Sequence, residues 1–173
     1  AFQQPQPYTL ATMLDDSALT VSVRNQQDWQ PENYDKQYHG EVTLYEALLQ
    51  SYNVPAVRTG LDIGIGEIIK TLSALGYDKS VPAYPSLTLG TIAMSPMEVA
   101  SIYQSFAANG FHHPLRSVLA VLDKNGKPLN RYSLEVDNQV DVDAMVVVNS
   151  ALIDVTRYGT AKRLSDRPAI QVA

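Results

Sequence analysis

The stretch from Thr43 to Pro55, Thr-Leu-Tyr-Glu-Ala-Leu-Leu-Gln-Ser-Tyr-Asn-Val-Pro, constrains the fold of this chain more than any other. Thr43 and Glu46 stand three apart, the spacing at which a hydroxyl and a carboxylate cap each other's backbone donors at a helix start. Leu44, Ala47 and Leu48 then fall at i, i+3 and i+4, which predicts an apolar stripe facing a core. Pro55 has no amide hydrogen and biases Val54 towards extended backbone, so the helix is expected to stop around Ser51, Tyr52 and Asn53. Residues two apart on an extended segment share a side, so Ser51 and Asn53 would present a hydroxyl and a carboxamide together at the end of a buried element. On spacing alone the plainer account is a C-terminal cap followed by a turn.

Length and composition narrow the classes. A chain of 173 residues, 45% hydrophobic and 18% charged, suits one globular domain with a sizeable core. A net charge of -5 gives no electrostatic reason to expect nucleic acid or an anionic membrane surface as partner. The absence of cysteine excludes disulfides and thiolate metal sites and fits either redox compartment. No apolar run approaches the ~20 residues of a membrane span, and the first residues lack a charged-then-apolar signal pattern.

Taken in order, residues 1–17 read as irregular because Pro5 and Pro7 each remove a donor. Ala18 to Arg24 alternates, with Leu19, Val21 and Val23 on one side, and predicts a short strand. Trp29, the sole tryptophan, is expected to pack over the helix that follows. Gly60, Gly64 and Gly66 are read as turns, since Ile69 stands where a phosphate-cradling loop needs its third glycine. Ile65, Ile68, Ile69, Leu72 and Leu75 predict a helix ended by Gly76, and Tyr77 to Leu89 a long connection.

Ser95-Pro96-Met97-Glu98 carries a complete helix-start signature, followed by an expected buried stripe of Val99, Ile102, Tyr103 and Phe106. His112 and His113 are adjacent but have no third ligand at a suitable spacing, and His39 is far off in sequence, so no metal site is expected. Leu115 to Leu122 and Lys127 to Leu134 predict a β-hairpin around Asn125-Gly126. Asp141 to Tyr158 is apolar nearly all round and reads as a buried helix capped by Gly159, and Ala169 to Ala173 as the start of a strand.

Several of these pieces together resemble a known family. Tyr34-Asp35, Gly40-Glu41-Val42-Thr43-Leu44, Ala47-Leu48 and Ser51-Tyr52-Asn53-Val54-Pro55-Ala56-Val57 resemble the transpeptidase domain of class A (bifunctional) penicillin-binding proteins, most closely those of Gram-negative bacteria. Trp29, Pro31 and Asn33 upstream, and Leu89-Gly90, Ser95 to Ala100 and Gly159-Thr160-Ala161 downstream, extend the resemblance over roughly residues 20 to 173. The resemblance implies an α/β fold of which this chain is a helix-rich part, with a β-hairpin and partial sheet strands, the whole of residues 1–173 being one partial transpeptidase domain. It also implies a serine acyltransferase, a peptidoglycan D,D-transpeptidase, that acts on stem peptides, is acylated by β-lactams, uses no cofactor, and works at the periplasmic face of the inner membrane in a membrane-anchored parent.

In that family Ser51 matches the serine of the S-x-N motif, which hydrogen-bonds the catalytic lysines and helps pass a proton to the leaving amine. Asn53 matches the asparagine that holds the substrate's peptide bond, Tyr52 takes the variable position, and Thr160 lies in a loop near the cleft. Two further motifs belong to the chemistry, S-x-x-K for the nucleophile and K-T-G for the cleft edge. No serine here stands three residues before a lysine, and Lys70-Thr71 is followed by Leu72, so neither occurs. The expectation is therefore the segment between those motifs, inactive alone and prone to self-association. Two rivals remain: a β-lactamase-like serine hydrolase, disfavoured because no Glu precedes an Asn by four, and a non-catalytic helical module that binds peptidoglycan or a partner protein.

Overall fold

The computed structural model describes residues 1–4, 8–23, 27–132, 136–138 and 140–164. In chain order the elements are β1 (Met13–Asp16), β2 (Gly40–Thr43), α1 (Leu44–Gln50), α2 (Asn53–Ile63), α3 (Ile65–Ala74), a 3-10 turn (Pro85–Leu89), α4 (Pro96–Ala107), β3 (Phe111–His112), β4 (Ala120–Leu122), β5 (Pro128–Arg131), β6 (Asp137–Asn138), α5 (Val142–Tyr158) and a final 3-10 turn (Lys162–Leu164). Strands pair as three antiparallel two-stranded ladders, β1 with β2, β3 with β6 and β4 with β5. The chain is thus α/β and rich in helix, as the family resemblance implies.

Helix α2 is the innermost element and the one the sequence hid. Val54 and Val57 are fully buried, each stabilising the fold by roughly 1.5–3 kcal/mol through burial alone. Pro55 was expected to end a helix, yet it sits third in α2, where a backbone amide has no helical acceptor and its loss costs little. Val54 is helical despite the proline after it. Gly60, expected in a turn, is interior to α2 because an added Cβ would lie 2.1 Å from Thr88 Cγ2. Close approach of the 3-10 turn, rather than backbone freedom, explains that glycine. Only Gly64, at φ +95°, makes the break between α2 and α3.

A second core lies between α3, α4 and α5, built from Leu75, Tyr77, Ile102, Val140 and Met145. Ser95 caps α4 in a complete capping box: its hydroxyl accepts from Glu98 N–H at 3.3 Å, and the Glu98 carboxylate accepts from Ser95 N–H at 2.6 Å. The predicted stripe of α4 is narrower than expected. Ile102 is buried, but Val99 is exposed and Tyr103 is 60% exposed.

Other expectations move. The alternating Ala18 to Arg24 stretch yields only an isolated bridge, Val21 with Trp29, while the strand falls at Met13–Asp16 in a stretch read as irregular. Pairing with β2, in the register Met13 with Thr43 through Asp16 with Gly40, outweighs local alternation there. Trp29 borders a shallow groove beside Tyr84 and Pro85. The hairpin forms around Gly126 (φ +80°), with Asp123 accepting from the Asn125 and Lys127 amides; its described ladder pairs Ala120–Leu122 with Pro128–Arg131, and residues 133 and 134 of the predicted second strand lie outside the described residues. Helix α5 is continuous, yet Val146 is 52% exposed, so its apolar circumference is covered only in part. The strand expected at Ala169 to Ala173 lies outside the described residues.

Candidate functional site

The two-residue link between α1 and α2 and the first residue of α2 take three different conformations. Thr43 caps the start of α1, its hydroxyl accepting from Glu46 N–H at 3.1 Å, and the seven-residue helix runs to Gln50. Ser51 then turns into the left-handed region at φ 57°, ψ 45°, uncommon for a residue with a Cβ. Tyr52 N–H closes the cap on Ala47 O at 2.9 Å. Tyr52 itself is extended, and Asn53 opens α2. The sequence predicts an extended Ser51 to Asn53 segment; the break is instead a left-handed cap followed by a new helix start.

Ser51, Tyr52 and Asn53 nevertheless border one open trough of about 470 Å³, whose apolar wall includes Leu44, Leu48 and Leu89. Leu44, Ala47 and Leu48 all line it, so the stripe expected to face a core faces this hollow, with Ala47 buried and Leu48 exposed. A larger hollow of about 720 Å³ lies between α3 and α4 and holds Lys70, Asp78, Glu98 and His112. None of the site residues read from the sequence borders it.

Thr160 comes to the same place from 109 positions away. Its Oγ1 lies 3.2 Å from Ser51 Oγ, with either hydroxyl able to donate. Two features seat it there. Thr160 N–H donates to Leu49 O at 3.2 Å, and Gly159 packs so tightly on α1 that an added Cβ would stand 2.4 Å from Leu49 O. Gly159 caps α5 in extended conformation, so contact with α1 is what excludes a side chain at this position. Tyr45 OH donates to Asp154 Oδ2 at 3.1 Å and ties the same two helices further along.

Asn53 donates from Nδ2 to Glu32 O at 2.8 Å, which fixes the carboxamide and leaves its second N–H and its oxygen for a ligand. Tyr52 offers no side-chain cap to α2. Asn33 does so instead, its Oδ1 accepting from Asn53 N–H at 2.9 Å and Val54 N–H at 3.2 Å. Burial, and then the negative charges of Glu46, Asp35 and Asp16, hold the Tyr52 phenol above its ordinary value of 10.0, so it stays protonated at neutral pH and is no base.

Behind the link stands a polar cluster that sequence reasoning missed. The Asp16 side chain is fully buried and accepts from Asn33 Nδ2 at 2.9 and 2.8 Å, from His39 N–H at 3.0 Å, and from the His39 ring at 2.6 Å. The His39 ring stacks on Tyr52 with centroids 4.2 Å apart and planes 16° from parallel. One signal was available: the period-two alternation of a strand puts Asp15 and Asp16 on opposite faces, so one of the pair had to point inward. Among the described residues no three His, Asp or Glu side chains are grouped to hold a metal ion.

Comparisons with known proteins agree on the family. The model of the penicillin binding protein transpeptidase domain matches residues 7–173. Penicillin-binding protein 1B of Vibrio cholerae is 37% identical over 95% of this chain, which spans 21% of that protein. The crystal structure of penicillin-binding protein 1A from Haemophilus influenzae superposes with a TM-score of 0.84 at 22% identity, covering 92% of this chain and 29% of that one. The penicillin G acyl-enzyme complex of penicillin-binding protein A from M. tuberculosis does so with a TM-score of 0.74 at 18% identity, covering 95% and 41%. At these identities the two structures speak for the fold. The chain spans about a fifth of the length of the curated relatives it matches.

Proposed function

Since the chain belongs to the transpeptidase-domain family of penicillin-binding proteins, we propose that it forms the S-x-N part of a peptidoglycan D,D-transpeptidase of the class A (bifunctional) kind. The parent enzyme cross-links stem peptides through a serine acyl-enzyme, is acylated by β-lactams, and works at the periplasmic face of the inner membrane, to which it is anchored. No helix among the described residues is long and apolar enough to cross a membrane, so the anchor is assigned to other parts of the parent.

One arrangement carries the reading: Ser51 at the end of α1 and Asn53 at the start of α2 border one trough, and the Thr160 hydroxyl beyond α5 lies 3.2 Å from Ser51 Oγ. A hydroxyl both accepts and donates, so Ser51 suits proton transfer to a leaving amine. A carboxamide cannot relay a proton at neutral pH but holds a peptide bond, so Asn53 suits substrate binding. Tyr52, with its neutral phenol, contributes contact at the trough's edge. Thr160 holds the Ser51 hydroxyl and borders the peptide. The apolar wall at Leu44 and Leu48 is where the helix carrying the S-x-x-K nucleophile and its lysine would pack, bringing both to Ser51.

Stopped-flow acylation of the full-length enzyme by benzylpenicillin tests the roles. Ser51→Ala should lower the acylation rate constant and leave initial non-covalent binding nearly intact. Asn53→Ala removes a polar contact of about 1–3 kcal/mol and should weaken engagement on the order of ten- to a hundredfold. Identical behaviour of the two variants defeats the division of roles. Two variants indistinguishable from the parent defeat the site.

A further inference from the structure

We propose that Asp16, Asn33 and His39 act together as positioning residues that hold the Ser51–Tyr52–Asn53 link in its working geometry. The inference rests on assigning that link to the acyl-transfer site. None of the three borders the trough: Asn33 and His39 act on Asn53 and Tyr52, which do, and Asp16 acts through Asn33 and His39.

The chain of contacts has a direction. Asp16 lies at the inner end of β1 with no exposed surface and bonds to Asn33 Nδ2 through both carboxylate oxygens. Asn33 Nδ2 also donates to Gln37 O at 2.8 Å. With its donors committed, the Asn33 amide has one orientation, and its oxygen points at the first two amides of α2. The carboxylate thereby determines where Asn53 begins the helix. The second branch runs through His39. Its Nδ1 meets Asp16 at 2.6 Å, its Nε2 meets Asp35 at 3.2 Å, and its face lies against Tyr52.

The link is therefore gripped at each residue: Ser51 by Thr160, Tyr52 by the His39 ring, Asn53 by Asn33. Capping α2 requires Asn33 alone. The His39 branch donates nothing to the cap itself, but its bonds to Asp16 steady the carboxylate that orients Asn33, and its ring fixes Tyr52 beside the two polar residues, which is what a reaction sensitive to small displacements needs. The charged groups facing the His39 ring are Asp16 from β1 and Asp35 from its own loop, and Tyr52 faces it from the helix link as a neutral phenol. Protonated His39 donates to both carboxylates at once, and the neutral ring to only one. The Asp16 hydrogen bond first, and the Asp35 charge, hold the imidazole above its ordinary 6.5, against the opposing effect of burial. The grip on Tyr52 is thus tightest on the acid side and loosens as His39 loses its proton.

The test uses the full-length enzyme and benzylpenicillin, comparing wild type, His39→Ala, His39→Gln and Ser51→Ala across the titration of the imidazole. His39→Ala should lower the acylation rate constant about tenfold. His39→Gln keeps a donor for Asp16 without a titrating proton, so it should restore most of the rate while erasing the inflection expected of wild type above pH 6.5. Hydrogen exchange should run faster at the Asn53 and Val54 amides in His39→Ala than in wild type. An unchanged rate in His39→Ala, or His39→Gln as slow as His39→Ala, overturns the proposal. If Ser51→Ala leaves acylation unaltered, the site assignment fails first, and the exchange rates then decide the positioning role: no acceleration at Asn53 and Val54 overturns it as well.

Discussion

At the scale of single residues, Ser51 is where conformation and proposed chemistry meet. Its left-handed backbone costs about 1–2 kcal/mol more than a glycine would pay there. Ser51→Gly and Ser51→Ala both remove the hydroxyl and should slow acylation equally. They should part in stability, with the glycine variant about 1 kcal/mol the more stable because only it accepts φ 57° freely. Thermal or denaturant unfolding of the two enzymes measures the gap, and equal stabilities would mean that the left-handed cap stores no strain. His39 supplies a pH signature. Its folded value lies above 6.5, so its contribution to stability is complete below that pH and fades as pH rises through the folded value. The stability difference between wild type and His39→Ala should shrink on the alkaline side. Ser51, Tyr52, Asn53 and Thr160 were legible because each lies in a short motif. Asp16 and His39 were not, since Asp16 meets Asn33 and His39 from 17 and 23 positions away and the β1–β2 register brings them together.

At the scale of elements, what could be read locally was read well. The capping box of α4 is written in four consecutive residues, and each of its bonds forms. Ser95→Ala should cost about 1 kcal/mol in unfolding free energy. Glu98 carries a second duty through its ion pair with Lys79, which, together with the Ser95 donors, draws its carboxyl down from 4.5 to about 2. A depressed folded value stabilises above the unfolded one, so this contribution is whole above about pH 4.5 and is lost as pH falls towards 2. Glu98→Gln should flatten that part of an acid-unfolding profile. Helix α2 was not legible for the opposite reason. Its start is capped by Asn33 and its Gly60 answers to Thr88, so neither signal lies within the helix. The tie between α5 and α1 is equally non-local. Gly159→Ala would drive a methyl into Leu49 O, and it should destabilise by about 1–3 kcal/mol while moving Thr160 off Ser51. Unfolding measurements with a parallel acylation assay would show both effects; loss of neither means the contact relaxes without cost.

At the scale of the whole molecule, the α/β class followed from the family resemblance and most of the helices from periodicity, while the degree of covering followed from neither. Periodicity says which side of a helix is apolar, not whether anything lies against it. Leu44 and Leu48 line an open trough, Val142 and Val146 of α5 are exposed, and Leu119, Leu122 and Leu129 of the hairpin region lie on the surface. Without S-x-x-K or K-T-G in these 173 residues, the chain by itself should form no covalent adduct with benzylpenicillin, and intact mass after denaturation reads this directly. The uncovered faces carry the remaining prediction. Exposed apolar area of this extent favours association, and among the described residues the strands lie in two-stranded ladders, whose edges can pair with a second copy. The 173-residue chain alone should therefore form dimers or larger species whose proportion rises with concentration, seen by sedimentation or light scattering. Replacing Val146 and Leu48 by Gln should lower the association constant without reducing helix content, because both side chains already contact water. A monodisperse monomer that melts cooperatively at high concentration would show that these faces are too small or too scattered to join copies.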